Sequence, residues 1–351
     1  MSEIPRTSVN HNNNFTALRW FAAGLVFYGH SFTFLGLPGP SFMSWVSMGA
    51  LGVYIFFAIS GYLVAQSWES DPNPFRFLLR RALRIFPGLS ICVILCVVIL
   101  GPFLTKLQLS DYFLNPHTRG YFSNIILYMA YGLPGVFDTN HFPHAVNGSL
   151  WSLPVEFSMY LALALIGLSR TPRIGWGAAA LCLIVLAKFW AMQSSHMLLF
   201  YRIDFRQVAI CGAYFWVGAA LFKYNFSRLI SITSIMGAVA FWVMLTRWPQ
   251  VFGIAAWVIL PFLVIAFGLA KSPLLSRLSK YDYSYGIYIY AFPVQQIFAH
   301  FWPQMPLKLY LVATGTTILI LAALSWHWVE RPALRHKPTP PYRNKAENMS
   351  Q

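Results

Sequence analysis

Charge is what this chain has least of. Only 10% of its 351 residues are Asp, Glu, Lys or Arg, against about 25% in soluble domains. Acidic residues are the scarcest, 10 against 25 basic ones, for a formal net charge of +15. That shortage excludes an ordinary soluble domain. Cysteine is also sparse. Cys92, Cys96, Cys182 and Cys211 all lie in apolar runs, as small buried hydrophobes do, and their spacing suggests neither a disulfide framework nor a metal site. No internal repeat is evident. No cleavable signal is expected, because the first fifteen residues are polar and Asn-rich and the first apolar run is too long and too interrupted.

What is there is hydrophobicity, 57% of the chain. It falls into ten runs of about 18–24 residues, each long enough to cross a bilayer: 16–36, 46–68, 86–106, 148–169, 175–192, 206–223, 229–246, 252–270, 284–303 and 307–330. The sequence therefore predicts an all-α polytopic membrane bundle of about ten transmembrane helices over 16–330. A polar N-terminal segment (1–15) precedes it and a disordered basic tail (331–351) follows, with one long loop at 107–147. The apolar stretch 121–133 is too short to span and is expected to be an interfacial or re-entrant helix. Ten spans put both termini on one side. If that side is cytoplasmic, 18 of the 25 Lys and Arg face inward, as the positive-inside rule requires. The basic excess is then a topology signal and needs no nucleic acid.

Ionisable residues inside spans are functional candidates. Arg19 and His30 share the first run. Eleven residues at about 100° each return to one helix face, about 16 Å along the axis. Arg19 could hold an anion near the cytoplasm, or snorkel to the interface. His30 could be a general base deep in the span, or a bundle hydrogen bonder. In NPFRFLLRRALRIFPG, Arg76, Arg80 and Arg84 follow at i, i+4 with Arg81 beside them. They suit either orientation and anionic-lipid binding or a bidentate phosphate clamp. Glu156, in NGSLWSLPVEFSMY, is expected at about the depth of His30 in an oppositely running helix, where the two could pair; a buried carboxylate needs a partner. Asn147, Ser149, Trp151, Ser152 and Tyr160 offer the polar and aromatic surface of a sugar site. Ser60-Gly61 in the second run permits close helix packing or lines a channel. Tyr288, Gln295, Gln296 and His327 add polar groups late in the chain. Glu330 and Arg331 read as structural, and His141 and His144 alone are too few for a metal site.

The order of these motifs resembles a known family. R(x10)H in the first run, FFxxSGY in the second, RRALRIFP before the third, LWSLPVEFxxY, SYGIYIYxFP and a closing ERP are similar to the acyltransferase 3 family of bacterial integral membrane acyltransferases. The resemblance spans nearly the whole chain, is strongest to the O-antigen and exopolysaccharide O-acetyltransferases, and implies an enzyme of the bacterial inner membrane. It implies transfer of acetyl from acetyl-CoA to a carbohydrate hydroxyl, the acceptor being lipid-linked or a surface polysaccharide, with no metal and no nucleic acid. Carried over, the motifs fall on Arg19 and His30, on Arg81 and Arg84, and on Glu156. Arg81 and Arg84, with Arg76 or Arg80 helping, would take the CoA phosphates. Ser60, Trp151, Ser152, Tyr160 and Tyr288 would line a substrate channel. Many relatives carry histidine where this chain has Ala291. No hydrolase-like soluble domain is expected after the tenth run, and either the membrane domain would complete transfer or a separate protein would. A transporter or flippase of a lipid-linked glycan, another acyl group and a non-polysaccharide acceptor stay open.

Overall fold

A computed structural model describes residues 13–169, 171–192, 199–278 and 280–339. Residues 1–12 of the polar N-terminal segment and 340–351 of the basic tail lie outside it. The described chain is mostly helical, with almost no strand. In order it runs α1 (Phe15–Phe34), a short hairpin β1 (Ser41–Phe42) and β2 (Val46–Ser47), α2 (Met48–Ser70) and α3 (Pro74–Leu95). A π-helical turn at Cys96–Leu100 carries α3 into α4 (Gly101–Leu104). Two short helices follow, α5 (Leu109–Leu114) and α6 (Pro116–Tyr121), then α7 (Ser152–Leu168) and α8 (Arg173–Met192). A second hairpin, β3 (Leu199–Phe200) and β4 (Ile203–Asp204), leads to α9 (Phe205–Lys223), α10 (Ile232–Met244) and α11 (Pro249–Leu269). The chain closes with α12 (Pro273–Leu278), α13 (Ser284–Phe301), α14 (Leu307–Ser325), a π turn and α15 (Arg331–Arg335).

Each of the ten apolar runs contains a helix. Among the described residues six helical stretches are long and apolar enough to cross a membrane: Met48–Ser70, Pro74–Leu104, Gly148–Leu168, Phe205–Lys223, Pro249–Leu269 and Leu307–Arg335. Local chemistry starts several of them. Ser47 caps α2 through Ala50 N–H. Asn73 caps α3 through Arg76 N–H, with Pro74 in the first turn where its missing N–H costs nothing. Asp204 caps α9.

Two sequence expectations are corrected. The stretch 121–133 is not a helix. A 3₁₀ turn at Phe122–Ile126 ends at Leu127 in the left-handed region. Buried Asn124 donates to the carbonyls of Tyr121 and Ala130 and accepts from Ala130 N–H, so its amide replaces the backbone bonds a helix would need. The tail is ordered at its start, because α15 continues the last span and packs on α3.

Small residues let α2 sit at the centre. A Cβ on Gly61 would overlap the Phe215 carbonyl of α9, one on Gly218 the Ala58 carbonyl of α2, and one on Gly52 the Ala22 carbonyl of α1. Backbones approach this closely in membranes because packing, not water exclusion, joins the helices. The long loop folds onto the far end of α13. Gln296 donates to the carbonyls of Phe142 and Ala145, and Asn147 donates to that of Ile289. At the opposite end, where α2 turns into α3, the elements leave a cavity.

Candidate active site

The cavity measures about 310 Å³. It is walled by α2 (Val53, Phe57, Ser60, Val64), α3 (Arg81, Arg84), α7 (Ser152, Glu156, Tyr160), Asp282 just before α13 and Tyr285 and Tyr288 in it, Arg19 of α1, and Leu334 and Lys337 after α14. Five of these, Arg19, Arg81, Arg84, Ser60 and Glu156, come from four separate motifs of the sequence.

Its mouth is cationic. Trp20 donates its indole N–H to the Tyr281 carbonyl at 3.1 Å, which lays the segment before α13 against α1. Asp282 then accepts from Arg19 at 3.1 Å and from Arg84 at 2.7 Å. Burial pushes the Asp282 carboxyl up, but Arg84 and Arg19, with the Ser284 hydroxyl, outweigh it and hold it at about 2. Glu330 lies 4.0 Å behind Arg84 and takes a bond from Ser325, so the residue read as structural is also a counter-charge. Arg81 differs from its neighbours. Its guanidinium donates to Ser67 at 3.1 Å and lies near the rings of Phe77 and Tyr160. Its buried Nε has no partner, and among the described residues it forms no ion pair.

The arginine stripe divides. Arg76 and Arg80 do not line the cavity. Arg76 clamps Asp71 through Nε at 2.9 Å and Nη2 at 2.6 Å, and Arg80 adds Nη1 at 2.7 Å. An i, i+4 row drifts about 40° per step on a helix, which leaves Arg76 and Arg80 on the α2–α3 turn and brings Arg84 to the cavity. The expectation that they help bind the donor is thus not met by their placement.

Within the bundle, Glu156 Oε1 accepts from Ser60 Oγ at 2.9 Å and from Tyr160 OH at 2.5 Å. Deeper still, Ser152 and Tyr288 hydroxyls lie 2.6 Å apart, and Tyr288 donates to the Ser149 carbonyl. Ser60-Gly61 serves both neighbours: Gly61 packs on α9 and Ser60 faces the cavity.

His30 is not in this cluster. Its ring packs on Phe34 and Phe292, with centroids 5.9 and 5.5 Å away. Its buried Nδ1 has no hydrogen-bond partner. The expected His30–Glu156 contact is not formed; matching depth in two antiparallel helices leaves their lateral separation free. Trp151 is also elsewhere, on a cleft of about 550 Å³ beside Tyr131 and Arg202. Among the described residues no group of three His, Cys, Asp or Glu side chains could hold a metal. Sequence reasoning missed Asp282, although it stands inside the YDYSYG motif as one of only 10 acidic residues, and it missed Lys337, hidden in a basic run.

Comparison with known proteins gives these residues a context. The acyltransferase domain family matches residues 12–326. An O-acetyl transferase of Shigella phage Sf6 is 30% identical over 92% of this chain and 96% of its own length. Nodulation protein 10 of Rhizobium leguminosarum bv. viciae is 29% identical over 93% of this chain and 95% of its own. No solved structure matches.

Proposed function

The chain belongs to the acyltransferase domain family, and from that premise we propose that it is a membrane O-acetyltransferase moving acetyl from cytoplasmic acetyl-CoA to a sugar hydroxyl of a lipid-linked or surface polysaccharide such as O-antigen. The O-acetyl transferase similar to it supports oxygen as the acceptor atom. The observation that carries the reading is one cavity joining three arginines at its mouth to a hydroxyl–carboxylate cluster inside the bundle. Arginine forks fit phosphate bidentately, which suits the phosphates of CoA. The apolar wall of Val53, Phe57 and Val64 suits its uncharged arm, and the mouth is the inward side under the positive-inside rule.

In this mechanism Arg81, Arg84 and Arg19 hold the phosphates and so aim the thioester up the bundle. Ser60 and Tyr160, fixed on Glu156, border the path of the thioester. His30, reached from the loop side, takes the proton of the sugar hydroxyl. The hydroxyl oxygen then bonds to the thioester carbonyl carbon, the carbon–sulfur bond breaks, and the sulfur leaves with the proton from His30 as free CoA. General-base help of this kind is worth roughly 10²–10⁴-fold. Purified protein given acetyl-CoA and a lipid-linked glycan should release CoA thiol and add one acetyl mass to the glycan. Glycan binding or translocation with no thiol released would instead favour a flippase.

A further inference from the structure

Charge at the cavity mouth does not balance. Arg19 and Arg84 share Asp282, and Arg84 also has Glu330 behind it. Arg81 and Lys337 line the same cavity, and among the described residues neither forms an ion pair. Two cations facing one partly buried space repel, and a buried guanidinium nitrogen without an acceptor is costly. Among the described residues Arg81 donates only to the Ser67 hydroxyl, and Lys337 has only the more distant charge of Asp282, already shared by two arginines.

Lys337 is held in place. After α15, His336 Nδ1 bonds the Pro332 carbonyl at 3.1 Å and Lys337 N–H donates to the Leu334 carbonyl at 3.3 Å. α15 rests on α3, so the chain turns over the mouth beside Arg81. We infer that Lys337 is an anion-binding residue of this site, which with Arg81 takes a phosphate group carrying two negative charges. Resting on the reading of the cavity as the CoA donor site, this makes the segment after the last span one wall of that site.

The titration of Lys337 agrees. Burial, then Arg84, Arg81 and Arg19, push its ammonium down to about 7, against a weaker pull from Asp282. A bound dianion reverses that balance, so Lys337 takes up a proton on binding at pH above about 7. Affinity should then be nearly flat from pH 6 to about 7 and fall as pH rises from there to 8.5, up to tenfold per unit until the bound-state pKa is reached.

The test is CoA binding by the full-length protein in phosphatidylcholine nanodiscs, followed by calorimetry at pH 6, 7 and 8.5. Lys337→Gln should raise Kd about tenfold or more at pH 6 and flatten the pH dependence. Lys337→Arg should bind with a flat profile too, but near wild-type affinity, because arginine stays charged. Unchanged Kd and unchanged pH slope in Lys337→Gln would overturn the assignment and leave the donor reading standing. No CoA binding by the wild-type protein would overturn the donor reading itself. Repeating the titration with phosphatidylglycerol present separates a soluble phosphate from a lipid headgroup. A Lys337 effect seen only with that lipid would move the residue to a lipid site and overturn the assignment.

Discussion

At the scale of single residues, side chains of similar type do different work. Arg81 and Arg80 are adjacent in sequence, yet among the described residues one faces the cavity without an ion pair and the other is bound to Asp71. Arg81→Lys should therefore weaken CoA binding by about tenfold, since lysine keeps the charge but loses the fork, while Arg80→Lys should leave it near wild type. Equilibrium binding of CoA to both variants checks this. Glu156→Gln should lower turnover more than CoA affinity, because the amide keeps its shape but its loss of charge weakens the anchor of Ser60 and Tyr160. Steady-state kinetics beside a binding titration separates the two. His30→Ala should cost at least about 100-fold in acetylation per inserted molecule if it is the base; near-normal activity would remove it from the mechanism. Much of this site was legible. Arg19, Ser60 and Glu156 stood out as polar groups inside apolar runs, and Arg84 as part of a basic stretch just before one, and they do line one cavity. Asp282 and Lys337 sit in segments with no such contrast, and only the fold shows where they point.

At the scale of elements, long apolar runs announce helices, and a helix stands at each of the ten. What the runs could not show is lateral placement. His30 and Glu156 were matched by depth alone, and the helices carry them to different neighbours. Nor could hydropathy reveal that the Asn124 amide dismantles the short helix expected at 121–133. The α2–α3 turn shows how one acidic residue organises a basic stretch. The Arg76 hydrogen bonds, with those of Arg80, outweigh burial and hold the Asp71 carboxyl at about 2, below its ordinary 3.8. A carboxyl depressed in the folded state adds stability above pH about 4, and that stability is lost as pH falls toward 2. Thermal unfolding in detergent should show a falling midpoint over that window in the wild-type protein. Asp71→Asn should be less stable at pH 6, with two arginines left unpaired, and should show a smaller acid step, the remainder belonging to Asp282, which is depressed over the same window.

At the scale of the whole molecule, the account needs two sides. The cationic mouth lies at the end where α2 meets α3, and the 107–147 loop folds on the opposite end of α13. The proposed orientation, which follows the positive-inside rule, puts the first on the cytoplasmic side. A donor held at one end and an acceptor entering at the other make transfer across the bundle the central claim. Proteoliposomes with the protein in a single known orientation test it most directly. Isotopically labelled acetyl-CoA is supplied only to the side of the Arg81–Arg84 mouth, and a lipid-linked glycan acceptor with its sugar only on the loop side. The account predicts label in the glycan, with CoA thiol appearing on the donor side. Label appearing only when donor is supplied on the loop side, or no label under either arrangement with folded protein, would contradict it.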